Sequence, residues 1–187
     1  MAIRIRSRFH AKGPQRNAAE QASVIALLAW KMALDSIKRM REAKFDIDLG
    51  PAYFDFVCEY LAFMAQIADR IAYRSLAQER RAAFTRALAL RLAEVVEDNA
   101  DMRLAPEEPG RCHQHFLQIF NASGDDYADF NYADDGPDFG FRRCFAARLR
   151  AAMPEKDRLW LCDQVMEIEV PAAVAVLEKT LAGLFAR

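Results

Sequence analysis

From about Ala18 to Lys44, apolar residues recur at helical spacing: Val24, Leu27, Leu28, Leu34 and Ile37. Lys31, Asp35, Lys38 and Glu42 supply a polar stripe, with Asp35 placed to pair with Lys38 or Arg39. Gly50-Pro51 opens a second helix, because proline at the first helical position gives up no hydrogen bond. Its stripe is Phe54, Val57, Cys58, Leu61, Met64, Ala68 and Ile71. A second row, Phe56, Tyr60, Phe63 and Ile67, leaves only Asp55, Glu59, Gln66 and Arg70 polar. A helix apolar on most of its circumference belongs in the middle of a bundle.

Ser75 with Gln78 resembles a capping box and predicts a third helix to about Arg103, with Phe84, Leu88, Leu92, Val95 and Val96 inward. The second and third helices are the expected central pair. A shorter helix from about Pro109 to Asn121 follows. The segment at about 122–138, GDDYADFNYADDGPD with its flank, reads as a loop. Helical pattern resumes over Phe139–Ala152, and Pro154 opens a further helix. Pro171 kinks or restarts it, and Val174, Leu177, Leu181 and Leu184 finish it. No segment reads as a strand and no internal repeat is seen. The expected fold class is all-α: a single-domain bundle of five to seven helices over residues 17–187.

Composition agrees with this pattern. Thirty-four of the 187 residues are Ala, against 7 Gly and 7 Pro, which favours helices. Arg outnumbers Lys 20 to 6, and with the alanine content this points to a GC-rich bacterial genome. Cys58, Cys112, Cys144 and Cys162 form no CxxC pair and no secretory leader is seen, so the expectation is four reduced thiols in a cytoplasmic protein. No uncharged apolar run approaches the roughly 20 residues that span a bilayer, so no membrane insertion is expected.

Charge is distributed unevenly. Residues 1–44 carry a net +7 and the rest −8, with −9 in residues 97–138 alone. Residues 1–16 alternate Ile3, Ile5 and Ser7 with Arg4, Arg6 and Arg8 and break at Gly13-Pro14, which reads as a flexible basic N-terminal arm. Arg4, Arg6 and Arg8 can meet phosphates or an acidic partner surface, but no nucleic-acid motif accompanies them and the net charge of −1 speaks against nucleic acid. The acidic loop, with Asp125, Asp126, Asp129, Asp134, Asp135 and Asp138 among five aromatics, is a solvated loop, a partner surface or a hard-cation site. An EF-hand register fails, since Ala133 and Asp134 fall where a ligand and the glycine are needed.

Cys112, His113 and His115 gather soft donors at a helix start. Histidines two apart point about 200° away from each other around a regular helix, so they share an ion only at a frayed first turn. A structural zinc would also need Cys58, Cys144 or Cys162. No Glu-x-x-His occurs for a di-iron bundle. Nothing selects His113 or Cys58 as a haem ligand, and no Gly-rich phosphate loop, GxSxG or HExxH is present. Cys58 with His113 is a conceivable nucleophile and base, without support from spacing.

The reading is therefore a non-enzymatic helical bundle, regulatory in character, that binds a protein partner or itself, without a cofactor. Arg4, Arg6, Arg8, Asp129, Asp134 and Asp135 are its contact candidates. The alternative is a metal- or apolar-ligand-binding helical protein or enzyme centred on Cys112, His113 and His115.

Overall fold

Asn17 starts the first helix with a reciprocal cap. Its side chain accepts from the Glu20 N–H at 2.9 Å, and Glu20 accepts from the Asn17 N–H at 3.1 Å. The computed structural model describes residues 17–47, 50–100 and 110–186; the basic arm, residues 1–16, lies outside them. The elements are α1 (Ala18–Glu42), α2 (Pro51–Ser75), α3 (Gln78–Ala100) and α4 (Arg111–Tyr127). They continue with β1 (Tyr132–Ala133), β2 (Gly136–Pro137), α5 (Phe139–Ala152), a 3-10 turn (Glu155–Asp157) and α6 (Arg158–Gln164). A π turn (Val165–Glu169) then leads into α7 (Val170–Phe185). The molecule is all-α apart from the two-residue antiparallel pair β1–β2.

The helices form a ring around α2. Helix α2 packs on α1, α3, α4, α5 and α7, while α1 meets α3, α3 meets α4, α4 meets α5, α5 meets α6 and the π turn, and α7 returns to α1. The two apolar rows of α2 explain this placement: Phe56, Tyr60, Leu61, Ala62, Phe63, Met64, Ile67 and Ala68 are all wholly buried. Only α2 is central. Helix α3, expected as its equal, buries Phe84, Leu88, Leu92, Val95 and Val96 but takes a place in the ring.

The buried face of α1 differs from the expected stripe. Ala22, Ile25, Ala26, Ala29, Met32, Ala33, Ile37 and Met40 face inward, and Leu27 and Leu34 are exposed. Four of these eight inward residues are alanines, which let helix backbones approach closely, and α1 packs extensively on α3.

Two boundaries also differ. Ser75 ends α2 instead of capping α3; Leu76 is extended, and the Arg81 N–H bonds the Ala77 carbonyl at 2.9 Å. Helix α4 runs six residues past Asn121, so the first part of the expected acidic loop is helical. Tertiary contacts override its turn-rich composition. Buried Ser123 accepts from Gln66 at 3.0 Å and donates to the Phe120 carbonyl at 2.7 Å, and Tyr127 packs on Phe141 with ring centroids 4.4 Å apart.

None of the four cysteines forms a disulfide: Cys58 and Cys112 are buried, Cys144 is half-buried and Cys162 is exposed. Burial, with Asp55, Glu59 and Cys112 nearby, pushes the Cys58 thiol well up, which keeps it protonated. In a thiol-exchange assay on the native protein, Cys162 is expected to react first, Cys144 more slowly, and Cys58 and Cys112 only on unfolding. Fast labelling of Cys58 would show that α2 is not enclosed.

Candidate functional site

The α4 N-terminus carries the first set of sequence candidates. Gly110 sits at φ 83°, a conformation open to glycine, and hands the chain into Arg111. Glu97 of α3 then caps the helix from outside. Its carboxylate accepts from the Gly110 N–H at 2.5 Å and the His113 N–H at 2.8 Å, placing negative charge at the positive end of α4. Cys112 turns into the core, while the His115 Nε2 lies 3.2 Å from Asp55 Oδ1 of α2 and its ring stacks on Phe54 at 5.5 Å. Among the described residues, no three His, Cys, Asp or Glu side chains converge as a metal set. Cys58 stands beside Cys112, as a protonated thiol rather than an activated nucleophile.

The acidic candidates follow α4. Asp129 and Asp135 are exposed, and Asp134 pairs with Arg74, which also donates to the Ala133 carbonyl at 2.8 Å. Asp138 caps α5 through the Phe141 N–H at 2.7 Å and accepts from the Asn131 N–H at 2.9 Å. Asp126 pairs with Arg148. Much of this carboxylate set therefore holds the hairpin and helix ends in place. Arg4, Arg6 and Arg8 lie outside the described residues.

Polar groups inside the bundle tie each ring helix to α2 or to a neighbour. Arg148 of α5 grips Glu59 through two bonds, 2.7 and 3.1 Å. Burial pushes the Glu59 carboxyl up and Arg148 pulls it back only in part. Asp69 accepts from Arg81 at 2.9 and 2.5 Å and from Thr85 at 2.5 Å, fixing α3. Arg39 of α1 makes a forked pair with Glu169 at 3.3 and 2.5 Å, and Gln164 adds a bond at 3.3 Å. Beside this pair the Tyr60 hydroxyl is buried, and its ionisation is pushed up chiefly by that burial. None of these ion pairs is legible in the sequence, since the charged partners lie 12 to 130 positions apart.

Among the described residues, the two most exposed large apolar side chains lie in the segment α6–π turn. Pro154 stops α5 from continuing, and Asp157 accepts from the Asp46 N–H at 2.7 Å, which pins the start of α6 to the end of α1. Pro171 lacks the N–H that a regular helix would need there. The chain widens just before it: the Val170 N–H reaches the Val165 carbonyl, five residues back. This wider turn carries Glu169 inward to Arg39. Leu161, Val165, Met166 and Val170 also face inward. Leu159 and Trp160 point out, 79% and 71% exposed, followed by Ile168 at 47%. From Leu159 to Ile168 the only charged residues are Asp163 and Glu167, both exposed.

The sequence reading did not single out Leu159 and Trp160. The signal was present: in the run Leu159-Trp160-Leu161 a helix can bury one side only, and Leu161 is the residue taken inward. Among the described residues, no helix is long and apolar enough to cross a membrane. No family model, no curated protein and no solved structure matches the chain.

Proposed function

We propose that the chain is a non-enzymatic helical binding module that recognises a protein partner, or a second copy of itself, through the outer face of α6 and the π turn. The observation that supports this reading is the adjacent pair Leu159 and Trp160, 79% and 71% exposed on a helix whose inner side is fully packed. Tryptophan supplies a large contact area with few torsions to fix, and it dominates binding energy where it occurs in interfaces. Asp163 and Glu167 give the face a negative rim, which favours a segment that alternates basic and apolar residues.

The test is selection from a displayed peptide library together with sedimentation equilibrium. The protein is expected to select basic, apolar-rich segments or to self-associate, and L159S/W160A to lose both. That variant should keep its melting temperature, because substitutions at exposed positions change stability by only about 0.5 kcal/mol. A protein that neither selects nor self-associates, or a variant that behaves like the parent, would refute the reading.

A further inference from the structure

We infer that the α6–π face is covered by the chain's own basic segment, residues 3–9, so that the binding surface is closed by an intramolecular competitor. The inference rests on the reading of this face as a binding surface. Residues 1–16 hold Arg4, Arg6, Arg8, Lys12 and Arg16 and no acid, with Ile3, Ile5 and Phe9 interleaved. This is the complement of Leu159, Trp160 and Ile168 set beside Asp163 and Glu167. Among the described residues, Asp163 and Glu167 form no ion pair and accompany Leu159 and Trp160, whereas at the hairpin Asp126 and Asp134 are engaged by Arg148 and Arg74 and exposed Asp125, Asp129 and Asp135 have Phe139 as the one exposed large apolar residue of their segment. A second copy docking face to face would set these two carboxylates against their equivalents, so a second copy bound here would have to present its basic segment rather than the same face.

The reach also fits. Asn17 lies at the end of the bundle where Gln21 bonds the Leu184 carbonyl, and α6 begins at the other end, where Asp46 meets Asp157. The 25 residues of α1 separate the two by about 37 Å. Arg8 and Arg4 are nine and thirteen positions from Asn17, which allows a span of roughly 30 to 45 Å. Arg4 to Arg8 therefore come level with α6 when the chain runs along the bundle.

The experiment uses the full chain and acrylamide quenching of Trp160, with a W160F protein to subtract Trp30. In R4E/R6E/R8E the quenching constant of Trp160 is expected to rise roughly two-fold, as when a cover populated in most molecules is withdrawn. D163K/E167K should do the same, and the five substitutions together should restore shielding, since the charges are again complementary. Shielding should not change on dilution. Equal quenching in the parent and R4E/R6E/R8E, or no restoration in the combined variant, would overturn the inference. Shielding lost on dilution would place the segment on a second copy and would overturn it as well. Peptide selection repeated with R4E/R6E/R8E separates this from the underlying reading: a face that still selects peptides remains a binding surface even if the arm never covers it.

Discussion

Replacing Arg39 by alanine is expected to destabilise the protein by about 3–5 kcal/mol, because Glu169 would be left as an uncompensated charge in the interior. The pair is asymmetric. Glu169 is wholly buried and the Arg39 side chain is 38% exposed, so the arginine can return to water and the carboxylate cannot. Glu169→Gln should therefore cost less than Arg39→Ala. Replacing both by methionine should come close to the parent, since neither charge then has to be taken out of water. For a chain of this size the Arg39→Ala effect corresponds to a drop of roughly 10 °C in melting temperature. Thermal melts of the parent, Arg39→Ala, Glu169→Gln and the double methionine variant check this; an Arg39→Ala melt equal to that of the parent would mean that Glu169 is not a charge that needs its partner.

Phe63→Ala is expected to have a similar effect, about 3–5 kcal/mol, for an unrelated reason. The ring is wholly buried in α2 and stacks on Phe145 at 3.8 Å between planes only 4° apart. Phe141 approaches edge-on at 6.1 Å, and Tyr127 lies at 6.4 Å. Truncation removes the shared partner of three rings from two helices, and the ring helices cannot all close on the void. Urea unfolding should show a lower midpoint with an unchanged slope. A fall in slope would indicate that the bundle had loosened rather than lost a contact. Phe54→Ala, half-buried on the same helix, should cost clearly less.

How much of this was legible beforehand differs from helix to helix. The two rows on α2 and the single row on α3 describe their buried faces well, because large apolar residues there do the packing. On α1 the same rule picks Leu27 and Leu34, which are exposed, since half of the inward residues are alanines that carry little hydrophobic signal. The end of α4 was hidden by Gly124-Asp125-Asp126, a turn-like run held helical by Ser123 and Tyr127 from contacts with α2 and α5. The candidate face was hidden for the opposite reason. Leu159 and Trp160 look like core residues, and only the inward turn of Leu161 and Glu169 shows that the interior is already filled.

The enclosure of α2 has a consequence during synthesis. Of its five neighbours only α1 precedes it, so the other four are still unmade when it leaves the ribosome. About 110 residues follow it, which takes roughly 5–20 s at ordinary elongation rates. Throughout that interval Phe56, Tyr60, Phe63 and Ile67 have no lasting shelter, although in the finished molecule they are among the least accessible side chains. The nascent chain therefore presents its most adhesive surface early and for longest, and a chaperone that holds α2 until α7 arrives would raise the yield of folded protein more than one acting on the completed chain.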